Sequence, residues 1–182
     1  MTYTSEQKAQ PGRKLTDEEL DTVVGGNFST AMYGTSGADQ LQGTSGNDYM
    51  NGGHGDDILS GEQGNDLLYG GAGNDAAYGG SGNDTYIWDH ISNDTFVGGD
   101  GNDQVQLDNF LFQSVQSAVE SQWFNIQLTD ANNNPVTITA DMWDSNGNLN
   151  IGSEMSGTVT DVLTGNQLSF SGVESIVMPS YL

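Results

Sequence analysis

The sequence predicts an all-β protein of short stacked strands, closed by a β-rich cap. Three observations predict it. From Gly34 the chain runs in nine-residue units, each opening on glycine, with Asp at the sixth place and an apolar residue at the eighth. Hydrophobic residues make up only 34% of the 182 residues and Cys is absent, which excludes a large conventional core, disulfides and thiolate metal sites. Past residue 106 the repeat stops, and apolar and polar residues alternate in short runs, as half-buried strands do.

The units are GTSGADQLQ (34–42), GTSGNDYMN (43–51), GGHGDDILS (52–60), GEQGNDLLY (61–69), GGAGNDAAY (70–78) and GGSGNDTYI (79–87). A ten-residue irregular unit, WDHISNDTFV (88–97), comes before GGDGNDQVQ (98–106). Glycines permit positive φ and close backbone approach, so a six-residue stretch can turn tightly and aim carbonyls at an ion. Aspartate supplies hard anionic oxygen, which suits Ca²⁺. The last three residues of each unit read as a short strand whose middle side chain points inward. Those inward residues are Leu41, Met50, Leu59, Leu68, Ala77, Tyr86, Phe96 and Val105.

The form G-G-x-G-N/D-D-x-U-x, with U apolar, resembles the calcium-binding repeat of RTX proteins over residues 34–106. The resemblance implies a right-handed parallel β-roll, an RTX solenoid in which two units make one coil and ions sit between turns 18 residues apart. The implied metal ligands are Asp39, Asp48, Asp57, Asp66, Asp75, Asp84, Asp94 and Asp103. The turn backbone of Gly34, Gly43, Gly52, Gly61, Gly70, Gly79 and Gly98 joins them. The implied pairs are Asp39 with Asp57, Asp48 with Asp66, Asp57 with Asp75, and Asp66 with Asp84. Thr35, Thr44 and Glu62 replace the second glycine, and the irregular unit displaces Asp94, so about four to six ions are expected rather than one per unit.

The formal charge is −22, from 25 acids against 3 bases. That balance argues for cations as partners and against nucleic acid or an anionic membrane. A chain this acidic and apolar-poor leans toward disorder unless its charge is neutralised. Ion binding would supply both neutralisation and folding free energy, so the roll is expected to fold on calcium binding. No run of 18 apolar residues exists to span a bilayer.

Lys8, Arg13 and Lys14 all precede Gly25, and residues 27–182 contain no Lys or Arg. Upstream, TDEELDTVV reads as a short amphipathic helix, with Thr16 as N-cap, Glu19 completing a capping box and Leu20, Val23 and Val24 on one face. It stops at Gly25-Gly26, as helix C-termini often do. Leu15, Thr16, Glu19, Leu20, Val23 and the glycine pair resemble the double-glycine leaders of bacteriocins, microcins and related small exported proteins. That resemblance implies recognition through Leu15, Glu19, Leu20 and Val23 by a peptidase-containing ABC exporter. It also implies cleavage after Gly26, before Asn27. The competing reading keeps GGNFSTAMY in the repeat register, with Met32 at the U place but Ser29 where the third glycine and Thr30 where Asp belong; beyond the glycine pair, Phe28 and Met32 are expected as the first inward-facing residues.

Four segments follow: a cleaved leader at 1–26, an N-terminal cap strand at 27–33, the roll at 34–106 and a β-rich capping region at 107–182. Within the last, 109–122 reads as a helix through Phe112, Val115 and Val119, or as an irregular strand, with the helix preferred. WFNIQLT, PVTITADMW, NLNIGSEM, GTVTDVL and LSFSGVESIVM read as strands, with turns at Asp130 to Asn134 and at 144–148. FSGVESIV resembles the segment that closes many RTX blocks, and SIVMPSYL is a possible secretion-signal remnant.

No HExxH, G-x-S-x-G or cysteine nucleophile is present, and the two histidines, His54 and His90, fall at variable positions. Without Lys or Arg after residue 26, an anionic substrate has no clamp there. The expectation is a non-enzymatic, secreted, calcium-binding structural or adhesive protein of a bacterial cell surface, biofilm or matrix, prone to self-association. The alternative is a microcin-like toxin or signal, against which size and acidity argue.

Overall fold

A computed structural model describes residues 28–89, 91–107, 124–145, 147–152, 155–162 and 164–177. The leader through Asn27, His90, the 109–122 segment and residues 178–182 lie outside the described residues.

Nine strands carry the repeat. They are β1 (Thr30–Tyr33), β2 (Gln40–Gln42), β3 (Asp48–His54), β4 (Ile58–Gln63), β5 (Leu67–Ala72), β6 (Ala76–Ser81), β7 (Thr85–Trp88), β8 (Asp94–Asp100) and β9 (Gln104–Leu107). The odd strands pair in parallel in one sheet and the even strands in another, so successive units alternate between two faces of a parallel β-solenoid. The fold is thus the expected all-β roll. Register advances by 18 residues per coil, as in Met50↔Leu68 and Leu59↔Ala77. Across the ten-residue unit it advances by 19, as in Ala77↔Phe96 and Tyr86↔Val105. There the extra residue is absorbed in the turn, where the Trp88 indole N–H donates to the Ser92 carbonyl at 3.2 Å.

Several strands outrun the expected triplet. β3 and β5 continue through their glycine pairs, matching Gly53↔Gly71 and His54↔Ala72. Side-chain-free residues let adjacent coils stay in hydrogen-bonding contact around the corner.

Met50, Leu59, Leu68, Ala77, Tyr86, Phe96 and Val105 are fully buried between the sheets, and Leu41, on the first even strand, is half-buried. Tyr86 and Phe96 stack with ring centroids 5.2 Å apart, and the small Ala77 shares their neighbourhood through its pairing with Phe96. Met32 aligns with Met50 at the start of the column. Phe28 departs from its expected inward place. Its ring lies edge-on to Tyr49, 6.4 Å away, on the outward side of β3, because period-two alternation turns Tyr49 away from buried Met50.

The remaining strands are β10 (Phe124–Thr129), β11 (Pro135–Val136), β12 (Leu149–Asn150), β13 (Ser156–Asp161), β14 (Gln167–Ser171) and β15 (Ser175–Val177). The expected turns are present: the Asn133 N–H donates to the Asp130 carbonyl, and the Asp144 N–H to that of Asn148. PVTITADMW is strand only at its first two residues; Ala140–Met142 forms a 3-10 turn instead. LSFSGVESIVM splits into β14 and β15 at Gly172, whose φ of +59° turns the chain. Those two strands rejoin the roll: β14 pairs in parallel with β8 (Phe170↔Phe96), and β15 with β9 (Ile176↔Val105). The cap therefore supplies one more coil, and the strands between loop out from it.

Candidate metal centre

Each unit turns between its strands with the sixth-position aspartate folded inward. Asp57, Asp66, Asp75, Asp84 and Asp103 are only 1–3% exposed. One carboxylate oxygen of each ties neighbouring coils together. The Asp39 N–H donates to Asp57 Oδ1 at 2.7 Å, Asp48 to Asp66 at 2.7 Å, Asp57 to Asp75 at 2.8 Å and Asp66 to Asp84 at 2.8 Å. Across the irregular unit the ladder continues, from Asp75 to Asp94 at 3.1 Å and from Asp84 to Asp103 at 2.8 Å. The four carboxylate pairs expected from the sequence are therefore neighbours on adjacent coils.

The second oxygen is different. Oδ2 of Asp57, Asp66, Asp75, Asp84 and Asp103 is buried with no hydrogen-bond partner. A buried anionic oxygen without a donor is costly. Each of these oxygens faces the first glycine of its own unit, and a Cβ placed on Gly52, Gly61, Gly70, Gly79 or Gly98 would collide with it. The opposite wall is a carbonyl from the next coil. A Cβ on Gly52 would lie 2.6 Å from the Gly70 oxygen, and one on Gly61 2.5 Å from that of Gly79. At Gly52, Gly61 and Gly79 carboxylate oxygen and backbone carbonyl thus converge on a cradle kept free of other side chains, whereas at Gly70 the Tyr86 hydroxyl stands in the carbonyl's place. Gly34 and Gly43 line the same kind of space in the first coil.

Among the described residues, no three His, Cys, Asp or Glu side chains cluster as a metal site. A cation in these cradles would rest on a carboxylate supplemented by carbonyls. That donor set is all hard oxygen, which suits calcium and excludes soft-metal chemistry. The orphaned oxygens and the glycine-lined space fit such an ion.

Electrostatics agree. Burial pushes the carboxyls of Asp66 and Asp75 up to about 7 from the ordinary 3.8, opposed by the backbone N–H each accepts and reinforced by neighbouring aspartates. The same balance raises Asp84 and Asp94 to about 6. Burial also raises Asp57 and Asp103. Without a cation the ionisation of this row is thus shifted up toward neutral pH.

Three aspartates are satisfied from within. At Asp39 the Thr35 N–H and hydroxyl donate to Oδ2 at 2.6 and 2.8 Å. At Asp48 Thr44 does the same at 2.6 and 3.0 Å. Oδ2 of Asp94 accepts the buried Tyr86 hydroxyl at 2.8 Å. Burial, with the Asp94 charge beside it, holds that hydroxyl well above its ordinary pKa, so it remains a donor.

Sequence reasoning missed two further features. The fifth-position asparagines form a ladder of opposite polarity. Oδ1 of Asn47 accepts the Asn65 N–H at 2.8 Å, and Oδ1 of Asn65 that of Asn83 at 2.7 Å. Recurrence of N or D beside the Asp was the available signal, and a neutral acceptor there adds no charge to the row. The second feature is closure by the cap. Glu174 Oε2 accepts the Asp103 N–H at 2.6 Å, taking the part a next-coil aspartate would play. The Gly172 carbonyl walls the Gly98 cradle.

Among solved structures, the chain is similar to the solution structure of the AlgE6R3 subunit from the Azotobacter vinelandii mannuronan C5-epimerase. The identity is 22% and the TM-score 0.45, over 76% of this chain and 73% of that one. No curated protein matches significantly. The RTX calcium-binding nonapeptide repeat matches residues 33–68, 55–86 and 86–105. The segment 33–105, with its two-unit coils and its row of partnerless buried carboxylate oxygens, is similar to RTX calcium-binding nonapeptide repeats.

Proposed function

We propose that this chain is a secreted, calcium-dependent structural or adhesive protein of a bacterial surface, biofilm or extracellular matrix. The observation that carries the calcium dependence is the set of five buried carboxylate oxygens with no protein partner, each facing the first glycine of its unit. Asp57, Asp66, Asp75, Asp84 and Asp103 are the principal ligands, supplemented at Asp57, Asp66 and Asp84 by the first-glycine carbonyl of the next coil and at Asp103 by the Gly172 carbonyl. An ion count of about four to six fits that set. Chemistry on a substrate has little support: the carboxylates are committed to the ladder, and residues 27–182 hold no Lys or Arg.

Export follows from the leader. Leu15, Glu19, Leu20 and Val23 are recognised by a peptidase-containing exporter, which cuts between Gly26 and Asn27. The chain crosses unfolded where calcium is scarce and folds outside where it is plentiful. Four segments result: the leader at 1–26, a first strand within 27–33, the roll at 34–106 and the cap at 107–182. Self-association through sheet edges and shared calcium then builds matrix.

Two measurements test this. Intact mass of the protein recovered from culture medium should begin at Asn27; a product still carrying residues 1–26 contradicts the leader assignment. Sedimentation with and without calcium should show assembly only with the ion. A monodisperse monomer at every calcium level contradicts the matrix role.

A further inference from the structure

Resting on the calcium reading above, we infer that the hydroxyls of Thr35, Thr44 and Tyr86 take the place of a cation, so that the turns at Asp39, Asp48 and Asp94 close without one. The roll then carries five turns open to calcium and three closed by its own side chains.

The division follows a backbone difference. The second residue of a unit is left-handed at Gly53 (φ +99°), Glu62 (+76°), Gly71 (+93°), Gly80 (+112°) and Gly99 (+113°). Those are the units of Asp57, Asp66, Asp75, Asp84 and Asp103, whose Oδ2 atoms have no partner. Glu62 shows that conformation rather than residue type is what matters, since a non-glycine there still leaves its carboxylate open. Thr35 and Thr44 are not left-handed. A β-branched residue resists that region. Their N–H groups turn onto Oδ2 at 2.6 Å and their hydroxyls follow. Each hydroxyl in turn accepts an N–H at 3.2 Å, from Gly37 and Gly46 respectively, so it is held as a donor toward the carboxylate.

The third closed turn reaches the same result by another route. The irregular unit has Trp88 where the first glycine belongs, so no glycine cradle exists there. The Tyr86 hydroxyl fills the place from the core side, and Ser92 donates to the other oxygen of Asp94 at 3.2 Å. Two closed turns belong to the first coil of the repeat. That end is thus built to hold its shape ahead of ion binding, and the calcium demand falls on the coils behind it.

Full-length protein and its variants would be titrated with calcium by isothermal calorimetry, with circular dichroism confirming that each saturated form is folded. Asp66→Asn, at an open turn, should bind one calcium fewer than the parent. Asp48→Asn, at a closed turn, should bind the same number. Thr44→Gly and Tyr86→Phe should each gain one. Loss of an ion in Asp48→Asn, or no gain in either hydroxyl variant, overturns the assignment. A parent that takes up calcium alongside such a result leaves the calcium reading standing; a parent that takes up none overturns both.

Discussion

At the scale of residues, the second position of each unit has the sharpest consequences. Glu62 holds a φ of +76°, a region that costs an L-residue about 1–2 kcal/mol. Its exposed carboxylate accepts only surface hydrogen bonds, from Gln42 at 2.9 Å and Ser60 at 3.2 Å. Glu62→Gly should therefore stabilise the calcium-loaded roll by about 1 kcal/mol, read as a higher urea midpoint; a lower midpoint would contradict the strain. The opposite change is Gly71→Ala. It places a Cβ against the Gly53 carbonyl at a φ of +93° and should cost more than about 2 kcal/mol in the same assay. The sequence shows these positions only in part. Repetition marks the glycines, but a threonine or glutamate in their place does not reveal its backbone conformation, which depends on contacts one coil away.

At the scale of elements, the carboxylate row and the cap coil each make a prediction. The raised carboxyls of Asp66, Asp75, Asp84 and Asp94 hold protons in the folded, ion-free roll up to about pH 6–7. An unfolded chain releases them near 3.8. Folding without calcium thus binds protons across that window, so ion-free stability falls as pH rises from about 4 to 7. In EDTA, strand signal should be stronger near pH 5 than near pH 7.5, and a flat or reversed profile would contradict the burial of these groups. With calcium present the sign reverses for binding: protons compete, and affinity drops as pH falls through about 7 to 6. In the cap, Glu174→Ala leaves the Asp103 N–H without its acceptor and should cost about 1–3 kcal/mol, while Glu174→Gln keeps an oxygen there and most of the stability. The apolar column from Met50 to Val105 is legible in the sequence because its spacing is regular. The closing coil is much less so. Gly172 and Glu174 belong to it, yet 71 residues separate Glu174 from the Asp103 it contacts, and no period links them.

At the scale of the whole molecule, the account rests on one coupling. A chain with 34% hydrophobic residues and a charge of −22 stacks its carboxylates in a row along each turn edge. Buried side chains and ladder hydrogen bonds oppose the backbone entropy of ordering glycine-rich turns, and five unpartnered anionic oxygens oppose folding further. Cations in the cradles turn that penalty into attraction. The most direct test is far-UV circular dichroism of the full chain at pH 7.5 in EDTA and then in millimolar calcium. The account predicts a largely unfolded spectrum in EDTA that converts cooperatively to β-strand on adding calcium. Identical strand-rich spectra under both conditions would contradict it.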